Sequence, residues 1–380
     1  CLTSFISSKM EVKNKLMGFY MMIFLFCLCR SLVFTVSLEK NATKRMMSGE
    51  ISGEKYKVLI LGAGMAGIRA ARTLYDAGIT NFRVLEASDR IGGRLLVKNF
   101  GQGCIELGGN WVHGTKNNPI WELVQEAGLS SYDTMIEPEA GKYIVYDKEG
   151  ADVTGYVRLE EMKNAENCLE KLIKDQRGKK DFNIREGLEY CKWFPNRPAD
   201  TAIEYYYHDF DAAAPPEEIS SGVLLSTGGP NDIDSTGGRQ VLISDCRGYE
   251  RIILDMAEKF KSQILKNHLV KSIVRNKDVT VEVQVGSEKK ELKADFVLVT
   301  FSIGVLQNQV ASMFHPVLPT QFLQSLEKMK MANYLKIFLK FSQRFWPPNY
   351  DYIFYASEIR GFYPVWQTLP GTQTNIPEND

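Results

Sequence analysis

Five clusters in this 380-residue chain have residue types and spacing suited to chemistry. In the first, Gly62-Ala63-Gly64-Met65-Ala66-Gly67 carries the G-x-G-x-x-G spacing, and Glu86 follows roughly 20 residues past the glycines. Gly62 permits a tight turn, Gly64 lets the backbone approach a pyrophosphate, and Gly67 lets a helix pack on its strand. Glu86 is placed to accept hydrogen bonds from a ribose hydroxyl. The competing reading is a turn that binds nothing, with Glu86 a solvated strand end. The second cluster, Arg90-Ile91-Gly92-Gly93-Arg94, offers cations for phosphate or a loop with scattered charge. The third, Gly108-Gly109-Asn110-Trp111-Val112-His113, reads as backbone pressed against a flat ligand. His113 there is either an orienting group or a structural imidazole. The fourth, Tyr205 to Asp211, sets acids among aromatics, which suits a cation with an alkyl body or, equally, a core helix with a solvated acid. The fifth holds Tyr334, Lys336, Phe338 and Lys340 in alternation, which would put two lysines on one strand face. The plain reading is that both lysines snorkel at a solvated edge.

These groups need elements to position them. Residues 57–61, KVLIL, form a short apolar run typical of a central parallel strand. The 68–77 segment reads as a helix stopped by Gly78, and 82–85 as the next strand, ending on Glu86. Leu159, Met162, Ala165, Leu169 and Leu172 recur at helical spacing, and Gly178 to Asp181 break that helix. Further helices are expected over 199–210 and 250–265. Residues 278–286 alternate as a half-buried strand, 289–293 form its polar hairpin partner, and 294–300 form a second buried strand.

The runs LGAGMAG, LEASDRIGGR and ELGGNWVHG together resemble the flavin-containing amine oxidases, most closely the polyamine oxidases. The resemblance extends from about residue 56 to about residue 366. It implies an α/β fold in which an FAD-binding Rossmann-like domain is joined to a discontinuous α+β substrate-binding domain. The implied division is a leader and linker over 1–54, FAD-binding segments over 55–135 and 241–308, and substrate-binding segments over 136–240 and 309–380. The cofactor is expected to be FAD, held by the 62–67 turn, Glu86, Ala87, Arg94, Gly108, Gly109, Asn110, Trp111 and the backbone of Val270. Lys336 matches the lysine that holds a water against flavin N5, and His113 matches a substrate-orienting position. Asp211, before Pro215-Pro216, matches an acid that binds the polyamine, one methylene shorter than the glutamate compared with it; Tyr334 joins it as a substrate contact. The expected reaction is oxidation of a polyamine by O2 with release of hydrogen peroxide. Alternatives within the fold are a monoamine or an L-amino acid as substrate. An inactive flavoprotein fragment is the other alternative, because the family's last glycine-rich FAD-binding segment is expected to lie beyond Trp366.

Composition narrows the field. The chain has 46 basic and 46 acidic residues, so its formal net charge is zero and no bulk nucleic-acid binder is indicated. Lysines precede an apolar stretch over 16–29, continued over 31–38, the pattern of a secretory signal or an uncleaved membrane anchor. Asn41-Ala42-Thr43 is a glycosylation sequon in the polar linker that follows. A secreted protein, or a membrane-anchored one, is therefore expected. Of seven cysteines, Cys104, Cys168, Cys191 and Cys246 lie past the leader without C-x-x-C spacing, so no metal site is expected and disulfide pairing is open.

Overall fold

A computed structural model describes residues 55–101, 103–133, 142–176, 181–222 and 238–369. The leader-like 16–38 stretch, the sequon at Asn41, the Gly178–Lys180 part of the expected helix break and the polar end from Pro370 lie outside the described residues. The chain divides into two compact units. The first holds residues 55–89 and 260–323, and the second holds 90–259 and 324–369. Both are discontinuous in sequence. This division follows packing, whereas the one expected from the sequence follows which segments hold which ligand.

In the first unit a seven-stranded sheet runs in the order Phe314–His315, Leu269–Arg275, Val279–Val285, Glu288–Val299, Lys55–Leu61, Phe82–Leu85, Ile264–Leu265. The Lys55–Leu61 strand sits centrally, parallel to Glu288–Val299 on one side and to Phe82–Leu85 on the other. Leu59, Ile60 and Leu61 are fully buried, as a strand covered on both faces requires. The helix Met65–Asp76 starts three residues earlier than expected, directly on the glycine turn, and Gly78 follows it at φ +76°. Glu288–Val299 is one 12-residue strand, not the two pieces expected. Its first half pairs antiparallel with Val279–Val285, and its second half pairs parallel with Lys55–Leu61. The helix expected over 250–265 is also shorter. Only Arg251–Ala257, which belongs to the second unit, is α-helical; Glu258–Gln263 is a 3-10 turn that leaves helical geometry at Phe260, and Ile264–Leu265 is an edge strand. Phe260 is fully buried edge-on against Phe82, at 5.7 Å between ring centroids. Burying that ring, worth about 2 kcal/mol or more, outweighs a few tenths of helix propensity per residue.

In the second unit the helices Leu159–Asp175, Ile184–Tyr190 and Pro198–Tyr207 pack around Met162, Leu169, Ile173, Leu188, Trp193 and Ile203. Ile173 takes the buried place expected of Leu172. The single helix expected over 199–210 is broken. Pro198–Tyr207 ends at His208, whose backbone leaves helical values (φ −121°, ψ −65°), and the short helix Asp209–Ala212 restarts beyond it. His208 is buried with Nε2 2.8 Å from Glu166 Oε1, an ion-pair distance although poorly aligned for a hydrogen bond. Three small sheets complete this unit: Val97–Phe100 with Gly103–Glu106; Trp111–Val112, Val241–Ile243 and Ser131–Asp133; and Val365–Gln367, Tyr352–Tyr355 and Tyr143–Tyr146. Disulfides join Cys104 to Cys246 and Cys168 to Cys191. The strand expected around Lys336 is not formed. Residues 329–341 carry no helix or strand, because no segment among the described residues offers them a ladder. Among the described residues no helix is long and apolar enough to cross a membrane, and no cluster of acids, histidines and cysteines is arranged to hold a metal ion.

Candidate active site

The first unit carries the glycine turn at the carboxyl ends of its parallel strands, where nucleotides bind in such sheets. Gly62 sits at φ +109°, and a Cβ there would lie 2.7 Å from Thr300 Oγ1. A Cβ on Gly67 would lie 1.9 Å from Gly62 O, so helix and turn touch backbone to backbone. Gly64 caps the Met65–Asp76 helix without a side-chain hydrogen bond, and no acid stands in its first turn. The N–H groups at that end, including those of Met65 and Ala66, are thus offered to an anion together with the positive end of the helix dipole. Glu86 braces this turn: Oε2 accepts from Ala63 N at 2.9 Å, and Oε1 accepts from Ser88 N and Oγ at 2.9 and 2.8 Å. Each oxygen keeps acceptor capacity for a ribose hydroxyl. His268 N donates to Glu86 O at 2.8 Å and Asn267 N to Ser88 O at 2.9 Å, which brings Val270 into the neighbourhood of the acid. Val270 is buried, and its strand's register shifts between Val270 and Ser272. Ala87 is exposed on the loop after Glu86. These groups fit the adenosine and pyrophosphate half of a dinucleotide.

In the second unit the glycine and tryptophan run surrounds Lys336. Gly108 has no room for a side chain, since a Cβ there would lie 1.8 Å from Arg94 O. The protein's own backbone therefore accounts for this glycine. Gly109 N donates to the same Arg94 oxygen at 3.2 Å. Arg94 is exposed, while Arg90 closes its own loop by donating to Gly93 O at 2.7 Å and Leu95 O at 3.1 Å. Asn110 is buried, and Trp111 pairs with Leu242 across a two-strand contact. Lys336 Nζ donates to Gly108 O, to Asn110 Oδ1 at 3.0 Å and, weakly, to Glu106 O at 3.4 Å. Burial pushes the lysine down to about 8, against the pull of Glu106. Lys340, by contrast, is exposed and lies over Gly101.

Glu106 opens the ELGGNWVHG run, and nothing in that motif marks it out. It is 5% exposed, with Oε1 accepting from Tyr249 N at 2.5 Å and Oε2 buried without a hydrogen-bond partner. Burial lifts its carboxyl to about 7, helped by the Glu250 charge and opposed by the Tyr249 N–H and Lys336. Its signal in the sequence was an acid at the end of a strand, GCIE, whose other side chains are apolar or cysteine.

Asp211, His113 and Tyr334 form a second group in the same unit. The Phe210 and Tyr334 rings lie 6.3 Å apart. Asp211 keeps a solvent-accessible surface although dense protein surrounds it. Loss of surrounding water raises its pKa, and His113 and then His208 pull it down. The same surroundings push the Tyr334 phenol up to about 12, with Asp211 and Tyr205 adding to the shift, although its ring is 55% exposed. His113 Nδ1 lies 3.0 Å from Gln240 Oε1, and its ring stacks on Trp111 at 6.4 Å. The helix carrying Asp211 is fixed by Arg360, whose Nε donates to Asp209 Oδ1 at 3.0 Å and whose other nitrogens reach Asp209 Oδ2 and Glu204. Glu204 is wholly buried and further held by Arg185 at 2.6 and 2.8 Å and by Trp193 Nε1 at 2.7 Å. Sequence reading missed this brace, because Arg360 lies 151 or more residues from its partners.

Asp211 and Tyr334 lie in the same unit as Lys336, and the glycine turn lies in the other. Residues 65–375 match the flavin containing amine oxidoreductase family. The chain belongs to this family. Its cofactor is FAD. Among relatives, polyamine oxidase 1 of Zea mays is 34% identical over 345 residues, covering 82% of this chain and 66% of that protein. Polyamine oxidase 7 of Oryza sativa subsp. japonica is 31% identical over 338 residues, covering 82% and 69%. The chain thus spans about two thirds of the length of the curated relatives it matches. Among solved structures, wild-type putrescine oxidase bound to putrescine superposes with a TM-score of 0.60 at 20% identity, over 80% of this chain and 71% of that one. The likeness shows that this chain shares the fold.

Proposed function

We propose that the protein oxidises polyamines with O2, yielding an aminoaldehyde, a shorter amine and hydrogen peroxide. The observation that carries this reading is the meeting of Asp211 with His113 and Tyr334 in the unit that holds Lys336. A polyamine offers what this arrangement can grip: a distal ammonium for the Asp211 carboxylate, and an alkyl body for the Phe210 and Tyr334 rings. A monoamine has no distal charge to give Asp211. When bound, FAD would supply the two-electron chemistry, hydride acceptance from the carbon beside the reacting nitrogen and return of the electrons to O2. The 62–67 turn and Glu86 would hold its nucleotide half, with Ala87, Arg94, Gly108, Gly109, Asn110, Trp111 and Val270 as further contacts. His113 would orient the amine. Lys336 would hold a water for imine hydrolysis or flavin reoxidation, exchanging its weak 3.4 Å contact with the Glu106 carbonyl for that water.

We place the protein in the secretory pathway. Two disulfides are the natural state of an oxidising compartment and agree with the signal-like stretch over 16–38. The test of function is the visible spectrum of the purified protein before and after spermine under anaerobic conditions. Flavin bands that bleach support the reading. Flavin bands that persist with spermine, spermidine and their acetylated forms refute polyamine as substrate.

A further inference from the structure

Lys336 is a half-buried cation whose hydrogen bonds run to neutral oxygens: two carbonyls and one amide. Among the described residues no carboxylate forms an ion pair with it. The anion acting on it is Glu106, the residue whose own carbonyl faces Nζ at 3.4 Å. That carboxyl is committed on one side only. Tyr249 N–H holds Oε1, while Oε2 is buried and unpartnered. The Cys104–Cys246 disulfide clamps the same two segments, two residues before Glu106 and three before Tyr249. The carboxyl is therefore held in place by the backbone and a covalent bond.

We propose that Glu106 is a positioning residue that sets the charge of Lys336, acting as its buried counter-charge without touching the substrate. The assignment rests on the oxidase reading for its purpose but not for its physics. Glu250 raises the Glu106 pKa, Glu106 raises that of the Tyr249 phenol, and Glu106 and Lys336 act on each other through their charges, the Glu106 carbonyl being the part of that residue that meets Nζ. An ionised Glu106 favours the ammonium form of Lys336. Glu250 disfavours ionisation of Glu106 and so weakens that support.

The test reads Lys336 directly in the flavin-loaded full chain. Trace acetic anhydride labels free amines, so the labelling rate of the Lys336 peptide against pH, measured by mass spectrometry, gives its inflection. The wild type is expected near pH 8. Glu106→Gln keeps an oxygen for Tyr249 N–H but removes the charge, and should lower the inflection by about one pH unit. Glu106→Asp should restore part of the shift. An unchanged inflection in a folded Glu106→Gln protein overturns the proposal. Should that variant fail to fold, the reciprocal effect decides: in Lys336→Met the Glu106 carboxyl, followed by 13C NMR, should titrate above its wild-type position near pH 7, and an unmoved position overturns the proposal. Spermine plays no part in the labelling, so a failure of the oxidase reading shows only in the anaerobic spectrum.

Discussion

Gly67→Ala tests whether the glycine turn is a cofactor cradle held by backbone contact. The new Cβ would fall 1.9 Å from the Gly62 carbonyl oxygen. That carbonyl would have to retreat by roughly 1.5 Å to regain ordinary contact. The obstacle is main chain, and Gly62 has little room to move, since its own missing Cβ lies against Thr300, whose Oγ1 donates to Leu61 O at 2.9 Å. Overpacking of this kind costs about 1–3 kcal/mol, and a rigid backbone neighbour puts this site toward the upper end. The displaced turn also re-aims the N–H groups offered to the pyrophosphate. Losing one hydrogen bond to a charged group costs about 1.5–3 kcal/mol, so flavin affinity should fall tenfold or more. The control is Gly78→Ala: Gly78 has φ +76° and open space around the missing Cβ, so only backbone strain of about 1–2 kcal/mol applies. Retained flavin would be measured from the 450 nm band after gel filtration, and stability from thermal unfolding. A Gly67→Ala protein that keeps its flavin and unfolds at or above the temperature of Gly78→Ala would refute the backbone-contact argument.

Lys336→Met should keep FAD, since Met fills the same space, yet slow turnover at least tenfold; peroxide output at the wild-type rate would remove Lys336 from the chemistry. Asp211→Asn should raise KM for spermine more than for a monoamine, because only the polyamine brings a distal ammonium; equal effects on both would make Asp211 structural. Replacing both cysteines of the 104–246 pair by Ser should destabilise by about 5 kcal/mol and the 168–191 pair by about 3 kcal/mol, in the order of their loop lengths. Urea unfolding would show that order, and a reversed order would mean native-state packing dominates at these sites.

The nucleotide half was legible because its signals are local. KVLIL, three glycines and Glu86 lie within about 30 residues, the span of one strand–helix–strand unit, and each favours the same geometry. The readings that failed depended on partners far away in sequence. Helical spacing over 199–210 is real, but His208 is drawn into the core beside Glu166 and the helix breaks there. The 258–265 stretch has helix-forming residues, yet burial of Phe260 and pairing of Ile264 with Val84 decide its shape. Around Lys336 the expected alternation holds over only part of its length: Lys336 and Phe338 are half-buried between exposed Leu335, Ile337 and Leu339, but Tyr334 and Lys340, expected on the same face, are exposed too. Alternation alone does not make a strand, which needs a neighbour to supply hydrogen bonds. The cysteine pairs could not be read at all, because one joins residues 142 apart.

The geometry around Asp211 shows why a site residue's support can be harder to find than the residue. Asp209–Ala212 is a helix of four residues, too short to persist through its own hydrogen bonds. Its position must come from outside, and Arg360 supplies it by gripping Asp209 and Glu204 together. Glu204 is tolerable in a dry interior only because both oxygens are saturated by Arg185, Arg360 and Trp193. Burial would lift its carboxyl, but the Arg185 hydrogen bonds and the Arg360 and Arg185 charges hold it below the usual carboxylate range. It therefore stays ionised across neutral pH, and the brace loses strength only as acid reaches that lowered range. Asp211, left out of the brace, keeps its carboxylate for a ligand, and the same surroundings that raise its pKa strengthen its attraction for an ammonium group.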